Sequence, residues 1–224
     1  HKTLCLRSYF RRTKPHSKDA RTYYDFCNGL SDAPWNSCTT NAWHEASKEA
    51  RLLTLGDPAS NDELDSLLDE RLRSTSDCVL IGGPPCQAYS LAGRARNRGI
   101  LAYRAEDDHR HFLYLEYLRI IQRYRPAVFV MENVKGILSS RVGERAIFKE
   151  ILRDLADPDF ALFGKKGKRS TKYRIYSLVA ESSFESGMDP DSIEPSSFVI
   201  RAENYGIPQA RHRVILLGVR EDID

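Results

Sequence analysis

Cys78-Val79-Leu80-Ile81-Gly82-Gly83-Pro84-Pro85-Cys86 is an apolar run broken off by two glycines and two prolines, with a thiol directly behind them. Its counterpart, Ala127-Val128-Phe129-Val130-Met131-Glu132-Asn133, ends just as abruptly in a carboxylate and an amide. Short wholly apolar runs bounded by turn formers read as strands buried on both faces of a sheet. Between them, His111 to Tyr124 reads as a helix stopped by Pro126. After them, Ile147, Phe148, Ile151, Leu152 and Leu155 mark another amphipathic helix. Tyr173 to Val179 and Phe198 to Ala202 alternate like half-exposed strands, and Val214-Ile215-Leu216-Leu217 is a further apolar run. Helices alternating with buried strands predict a doubly wound α/β fold with a mostly parallel sheet and an antiparallel strand near the C-terminus.

Upstream the pattern is weaker. Leu4 to Arg12 reads as a short helix in a basic stretch, and Asn61 or Ser60 is placed to cap a helix whose Leu64, Leu67, Leu68 and Leu72 form one buried face. Asp19 to Trp43 is aromatic and polar without a clean period and takes no assignment. Glu181 to Glu194 holds five acids and no base among Ser, Gly and Pro, which predicts a flexible loop.

Composition bounds the function. With 224 residues, 41% hydrophobic and 29% charged, 13 Gly and 10 Pro, the chain is globular and large enough for one sizeable domain or two small ones. The five cysteines include no C-x-x-C pair, so neither a disulfide framework nor a zinc site is written here, and no metal is expected. No apolar run approaches the roughly eighteen residues needed to cross a bilayer. A net charge of +3 permits a nucleic-acid partner without establishing one.

In open α/β sheets, ligands collect outside the carboxyl ends of the strands. Three sets of residues are candidates there. An isolated cysteine reads first as a buried structural thiol, but Cys86 on a Gly-Gly-Pro-Pro turn leaving a central strand is held as a nucleophile would be. Glu132 at the end of an apolar strand would be desolvated, which raises a carboxyl pKa and suits an acid; taken alone it reads better as a helix cap or an arginine partner. In an extended Gln209-Ala210-Arg211-His212-Arg213, the side chains of Gln209, Arg211 and Arg213 share one face, as suits a ligand with carbonyl or phosphate oxygens. Alone, that segment reads as a solvated edge strand.

Together the three sets resemble the DNA cytosine-C5 methyltransferases. Gly83-Pro84-Pro85-Cys86-Gln87-Ala88-Tyr89-Ser90 matches that family's Pro-Cys loop, Glu132-Asn133-Val134 its Glu-Asn-Val triplet, and Gln209-Ala210-Arg211-His212-Arg213 its Gln-x-Arg-x-Arg segment. Asp108-His109-Arg110-His111-Phe112-Leu113 is similar to its Asp-x-Arg-x-x-Leu, and Gly56-Asp57 to its Gly-Asp. The resemblance implies a Rossmann-like class I methyltransferase fold, S-adenosyl-L-methionine as cofactor and methyl transfer to C5 of cytosine in double-stranded DNA. It also implies base flipping and a covalent bond from Cys86 to C6. Cys86, Glu132, Arg211 and Arg213 would be catalytic. Asp57, Pro84 and Leu113 would bind cofactor, and Gln87, Ser90, Asn133 and Gln209 would bind substrate. An RNA cytosine methyltransferase shares every quoted motif, and a non-catalytic nucleic-acid-binding module descended from the family is a further reading.

Against the family's pattern, the opening cofactor loop and the target-recognition domain are missing. Residues 1–224 are therefore expected to be a single partial catalytic domain, incomplete at both ends and inactive alone. The whole protein would be a cytoplasmic, nucleoid-associated bacterial monomer of a restriction-modification system. Arg94, Arg96, Arg98 and Arg104 suit a mobile loop closing on phosphates. Lys165, Lys166, Lys168, Arg169 and Lys172 suit a solvated hairpin tip.

Overall fold

A computed structural model describes residues 1–14, 17–72, 77–84, 112–142, 145–164 and 170–223. The two arginine- and lysine-rich segments after Cys86 and around Lys166 lie outside the described residues, apart from Lys172. The chain divides into two compact units, His1–Thr54 and Leu55–Asp224. Among the described residues, no helix is long and apolar enough to cross a membrane.

The first unit is built of three helices, α1 (Lys2–Arg12), α2 (Lys18–Cys27) and α3 (Thr40–Glu49). Its core is aromatic. Tyr9 is fully buried, donates its hydroxyl to Thr39 Oγ1 at 2.9 Å and meets Trp43 edge-on at 5.8 Å, while Trp43 stacks on Trp35 at 4.3 Å. Phe10 of α1 packs on Tyr23 of α2 at 4.6 Å. Large rings fill such a small core from few positions, so no helical apolar period is needed, which is why the residue pattern does not reveal α2 and α3. Ser17 Oγ caps α2 by accepting from Ala20 N–H at 3.2 Å, and in the turn before α3 Asn36 Oδ1 accepts from Cys38 N–H at 2.9 Å.

The second unit runs α4 (Pro58–Arg71), β1 (Val79–Gly82), α5 (Phe112–Tyr124), β2 (Val128–Val134), a short hairpin β3 (Arg141–Val142) and β4 (Arg145–Ala146), α6 (Ile147–Ala156), α7 (Pro158–Phe163), β5 (Tyr173–Tyr176), β6 (Ser183–Phe184), β7 (Val199–Arg201) and β8 (His212–Arg220). The main sheet has the order β1-β2-β8-β5-β6, with β7 also on β8. It is an α/β fold with a mixed sheet, and this corrects the expectation of a mostly parallel one. Among the described strands only β1 and β2 are parallel; the pairs β2–β8, β8–β5, β5–β6 and β7–β8 are all antiparallel. An apolar run such as Val214–Leu217 carries no information about strand direction. The antiparallel strand expected near the C-terminus is β8, and by inserting between β2 and β5 it makes each of its own pairings antiparallel.

Strand β2 alternates strictly: Phe129, Met131 and Asn133 are buried on one face, and Val130 and Glu132 lie on the other. Leu118 and Ile121 of α5, and Phe148, Ile151, Leu152 and Leu155 of α6, join Phe129 and Met131 in one core cluster. Two glycines make room for it. A Cβ on Gly82 would lie 2.6 Å from the Tyr117 ring, and one on Gly218 would lie 2.2 Å from the Phe129 ring. Strand β1 differs from its expected burial on both faces: Val79 is 62% and Ile81 75% exposed. Leu80 and Gly82 take the core side, so period-two geometry turns Val79 and Ile81 away from it.

Helix α4 lies on α5 through a ladder of charges. Arg119 Nη1 donates to both Asp65 oxygens at 3.0 and 2.9 Å, and Arg123 Nη2 donates to Asp69 Oδ2 at 2.9 Å. The leucines of α4 are only half-buried, short of the expected buried face. The helix is capped not by Ser60 or Asn61 but by Asp57, whose Oδ2 accepts from Ser60 N–H at 2.9 Å. The acidic stretch expected to be a flexible loop is ordered instead, because Phe184 and Ile193 are buried anchors and Asp189 and Glu194 cap short helical turns.

Replacing Gly218 by Ala is expected to destabilise the chain by about 1 to 3 kcal/mol, since the buried Phe129 ring has no space to yield; an unchanged urea midpoint would refute this packing. Burial also raises the carboxyl pKa of Asp154, although Tyr114 donates a hydroxyl to it at 2.7 Å. The folded chain therefore holds that proton more tightly than the unfolded one, and stability falls as pH rises from the ordinary carboxylate range through the raised value. Asp154→Asn is expected to gain more stability over the parent at pH 7 than at pH 4, measured by denaturant unfolding at both.

Candidate active site

The parallel pair and β8 bring their ends together. Gly82 is in register with Met131, Asn133 with Val214 and Val134 with Arg213, so the exit of β1, the end of β2 and the start of β8 meet at one edge. This convergence collects Pro84, Glu132, Asn133 and Arg213. Cys86, Gln87 and Ser90 lie outside the described residues, two or more positions beyond the buried Pro84.

Asn133 is the tie. It is 4% exposed; its Nδ2 donates to Pro84 O at 3.1 Å and its Oδ1 accepts from Val134 N–H at 2.8 Å. The turn leaving β1 is thereby fastened to the end of β2. On the opposite face of β2, Glu132 Oε1 lies 2.7 Å from Arg213 Nε, and Arg213 Nη1 donates to His212 O at 2.7 Å. The Nε–Oε1 approach is an ion contact without the alignment of a hydrogen bond. Glu132 is 43% exposed at its side chain, so the desolvated carboxyl expected from the apolar strand is not found; the strand's outer face leaves it half open beside a cation. Its Oε2 reaches over bare backbone: a Cβ on Gly83 would be 3.1 Å from it.

The Gln209–Arg213 segment is extended only from His212 onward. Gln209 N–H donates to Ile207 O at 2.8 Å within a turn, and both Gln209 and Arg211 are exposed. The even alternation expected from Gln209 to Arg213 therefore fails at its first half, and Arg213 rather than Arg211 reaches Glu132. His212 Nε2 meets Glu203 Oε1 at 2.6 Å; a bond from the Glu203 backbone, together with this one, holds that carboxyl below its ordinary pKa range.

Asp57 and Leu113 form a second group. Asp57 is exposed, and the Ser60 backbone N–H and hydroxyl keep its carboxyl ionised below the usual range. Leu113 is half-buried in the first turn of α5. Asn61 joins them: its Oδ1 accepts from Gly56 N–H at 3.2 Å and its Nδ2 donates to Glu116 Oε2 at 3.0 Å, one helical turn beyond Leu113. The ionised Asp57 carboxylate is an acceptor suited to an amino-bearing ligand, and Asn61 and Glu116 tie its turn to the turn of α5 that carries the half-buried Leu113. The sequence reading missed Asn61, Glu116 and Tyr117. Tyr117 donates to Val130 O at 3.0 Å while its ring backs Gly82, so α5 connects both groups of residues. The Asp65/Asp69 and Arg119/Arg123 pairs, each spaced i,i+4, were the available signal for helix–helix docking.

Residues 58–165 match the family model of the C-5 cytosine-specific DNA methylases. The chain is 34% identical over 152 residues to the type II methyltransferase M.Bpa9945I of Bacillus paralicheniformis, covering 68% of this chain and 27% of that protein. It is 34% identical over 146 residues to the type II methyltransferase M.BspRI of Lysinibacillus sphaericus, covering 65% and 24%. A solved structure of a DNA modification methyltransferase encoded within an E. coli prophage is 22% identical with a TM-score of 0.40, covering 70% of this chain and 31% of that one. The chain belongs to the DNA cytosine-5 methyltransferase family. It spans about a quarter of the length of the curated relatives it matches.

Asn133→Ala is expected to lower stability by about 1 to 3 kcal/mol, because it leaves the buried Pro84 carbonyl without its donor. Asn133→Asp is expected to be at least as harmful, since it sets a carboxylate against that same oxygen. Thermal unfolding of the two variants beside the parent checks both.

Proposed function

We propose that the protein containing this chain transfers a methyl group from S-adenosyl-L-methionine to C5 of cytosine in double-stranded DNA. The observation that carries this reading is the convergence of Pro84, Glu132, Asn133 and Arg213 at the carboxyl ends of β1 and β2. S-adenosyl-L-methionine, when bound, supplies an electrophilic methyl group, with Asp57, Leu113 and Pro84 as the residues of this chain that would hold it.

Cytosine C5 is a poor nucleophile because the ring is aromatic and neutral. Addition of the Cys86 thiolate to C6 makes C5 the carbon of an enamine, which is the purpose of covalent catalysis here. Glu132 holds a proton at N3 and accepts from the exocyclic amine through the oxygen that Arg213 leaves open. Arg213 donates toward O2, where electron density changes during attack, and keeps Glu132 oriented. Arg211 and Gln209, both exposed, are placed for the phosphate and polar edges nearby. Loss of the C5 proton expels Cys86. Gln87 and Ser90 contribute to substrate binding on the loop that carries the nucleophile. The target atom is unreachable in a stacked duplex, so the base is flipped out.

On this reading residues 1–224 form part of one Rossmann-like class I catalytic domain, and the whole protein acts as the modification enzyme of a bacterial restriction-modification system, a monomer in the cytoplasm on nucleoid DNA. The test uses the full-length gene product with S-adenosyl-L-methionine and duplexes carrying 5-fluorocytosine, read by intact mass. Fluorine cannot leave C5 as a proton does, so a covalent adduct accumulates, and it is expected to vanish in Cys86→Ser. Cofactor binding with no adduct on any DNA, but with methylation of tRNA, would overturn the substrate assignment.

A further inference from the structure

Charge is segregated within the first unit. Residues 1–21 carry seven Lys and Arg against a single acid, Asp19, whereas residues 22–54 carry two bases and four acids. The pairing is equally uneven. Glu49 takes Arg11 at 2.6 Å and Arg12 at 2.7 Å, as well as the Ser8 hydroxyl at 2.7 Å, and Glu45 takes Lys48 at 2.8 Å. Lys2, Arg7, Lys14, Lys18 and Arg21 are exposed and have no acidic partner among the described residues.

These five cations sit on α1, the turn after it and the first turn of α2, two helices joined through Phe10 against Tyr23 at 4.6 Å and Tyr24 at 6.0 Å. On α1 the buried residues Cys5, Ser8 and Tyr9 define the inner side, which leaves Arg7 and Arg11, one turn apart, toward the outer one. On α2, Lys18, Arg21 and Tyr24 recur every three residues, with Tyr24 40% exposed. Lys18 and Arg21, three apart on one helix and neither ion-paired among the described residues, repel each other, and a polyanion lying across them removes that cost.

We infer that this α1–α2 corner is a docking surface for the phosphate backbone of duplex DNA, made of other residues than those proposed to handle the target base. Arg7, Lys14, Lys18 and Arg21 supply the charge, and Tyr24 supplies a hydroxyl suited to a phosphate or sugar oxygen. Such a surface reads no sequence; it lengthens the residence of the enzyme on any duplex and raises local affinity in proportion to the counterions released. The inference rests on the DNA methylation reading.

The test uses the full-length protein with Arg7, Lys14, Lys18 and Arg21 all changed to Glu, and a milder variant with Lys14, Lys18 and Arg21 changed to Ala. Kd for a 5-fluorocytosine-free duplex is measured against salt concentration, beside kcat and the KM for DNA. Removing one cation from a phosphate flattens the slope of log K against log salt by about 0.9. The Ala variant is expected to flatten it by about two to three units and to raise the KM for DNA at least tenfold at low salt, with kcat and cofactor affinity unchanged. Lys48→Glu, on the paired side of the unit, is expected to leave the slope as it was. An unchanged slope in a folded Ala variant would overturn the docking surface while methylation of DNA by the parent protein still stood. Loss of binding to anionic vesicles with the DNA slope intact would overturn it in favour of a membrane. A parent protein that methylates no DNA would instead sink the reading on which the inference rests.

Discussion

The second unit depends on one constraint, the strict two-residue alternation of β2. Phe129, Met131 and Asn133 must face the helices, and Glu132 must therefore face away. A slip of one residue would bury a carboxylate among Leu152, Leu155 and Tyr117 and would carry the amide away from Pro84. The register is pinned by steric means on both neighbours: Gly218 admits the Phe129 ring, and Gly82 rests on Tyr117, whose hydroxyl is bonded to Val130 O. Core packing and the placement of the Glu132 carboxylate are thus one decision, made by the order of side chains along a single strand.

Much of this was legible in the sequence. The runs Val79–Ile81 and Val128–Met131 marked the two parallel strands, the stop at Pro126 marked the end of α5, and Glu132-Asn133 marked the end of β2. What escaped was set by tertiary context. Strand direction is absent from an apolar run, so the sheet came out mixed. The helices of the first unit are held by stacked tryptophans and a shared glutamate rather than by a leucine stripe. Asp57, expected from the resemblance to bind cofactor, is found as the cap of α4, its Oδ2 accepting from Ser60 N–H.

Helices α4 and α5 show why a few charges suffice to organise the second group of residues. Asp65 is 17% and Arg119 26% exposed at their side chains, so this pair is screened less than a surface bridge, and both Asp65 oxygens accept from the one Nη1. The ladder sets the separation of the two helices, and Asn61 converts that separation into a fixed position for the Gly56-Asp57 turn relative to the first turn of α5.

The Glu132–Arg213 pair is held in an intermediate state that suits its proposed work. Arg213 approaches through Nε at 2.7 Å but commits Nη1 to the His212 carbonyl, so the two ions do not close into a mutually saturated fork. One carboxylate oxygen is taken, and the other lies above the backbone of Gly83, where any Cβ would come within 3.1 Å of it. A fully buried, fully satisfied pair would have nothing to offer an incoming base; a fully exposed one would be screened by water and poorly oriented. Keeping Gly83 bare leaves one oxygen open to hydrogen bonding, while Arg213 fixes its direction before any ligand arrives. That division of one carboxylate between a structural cation and an acceptor with no partner among the described residues follows from three local facts: a glycine at the strand exit, an outward residue on β2, and an arginine two positions into β8.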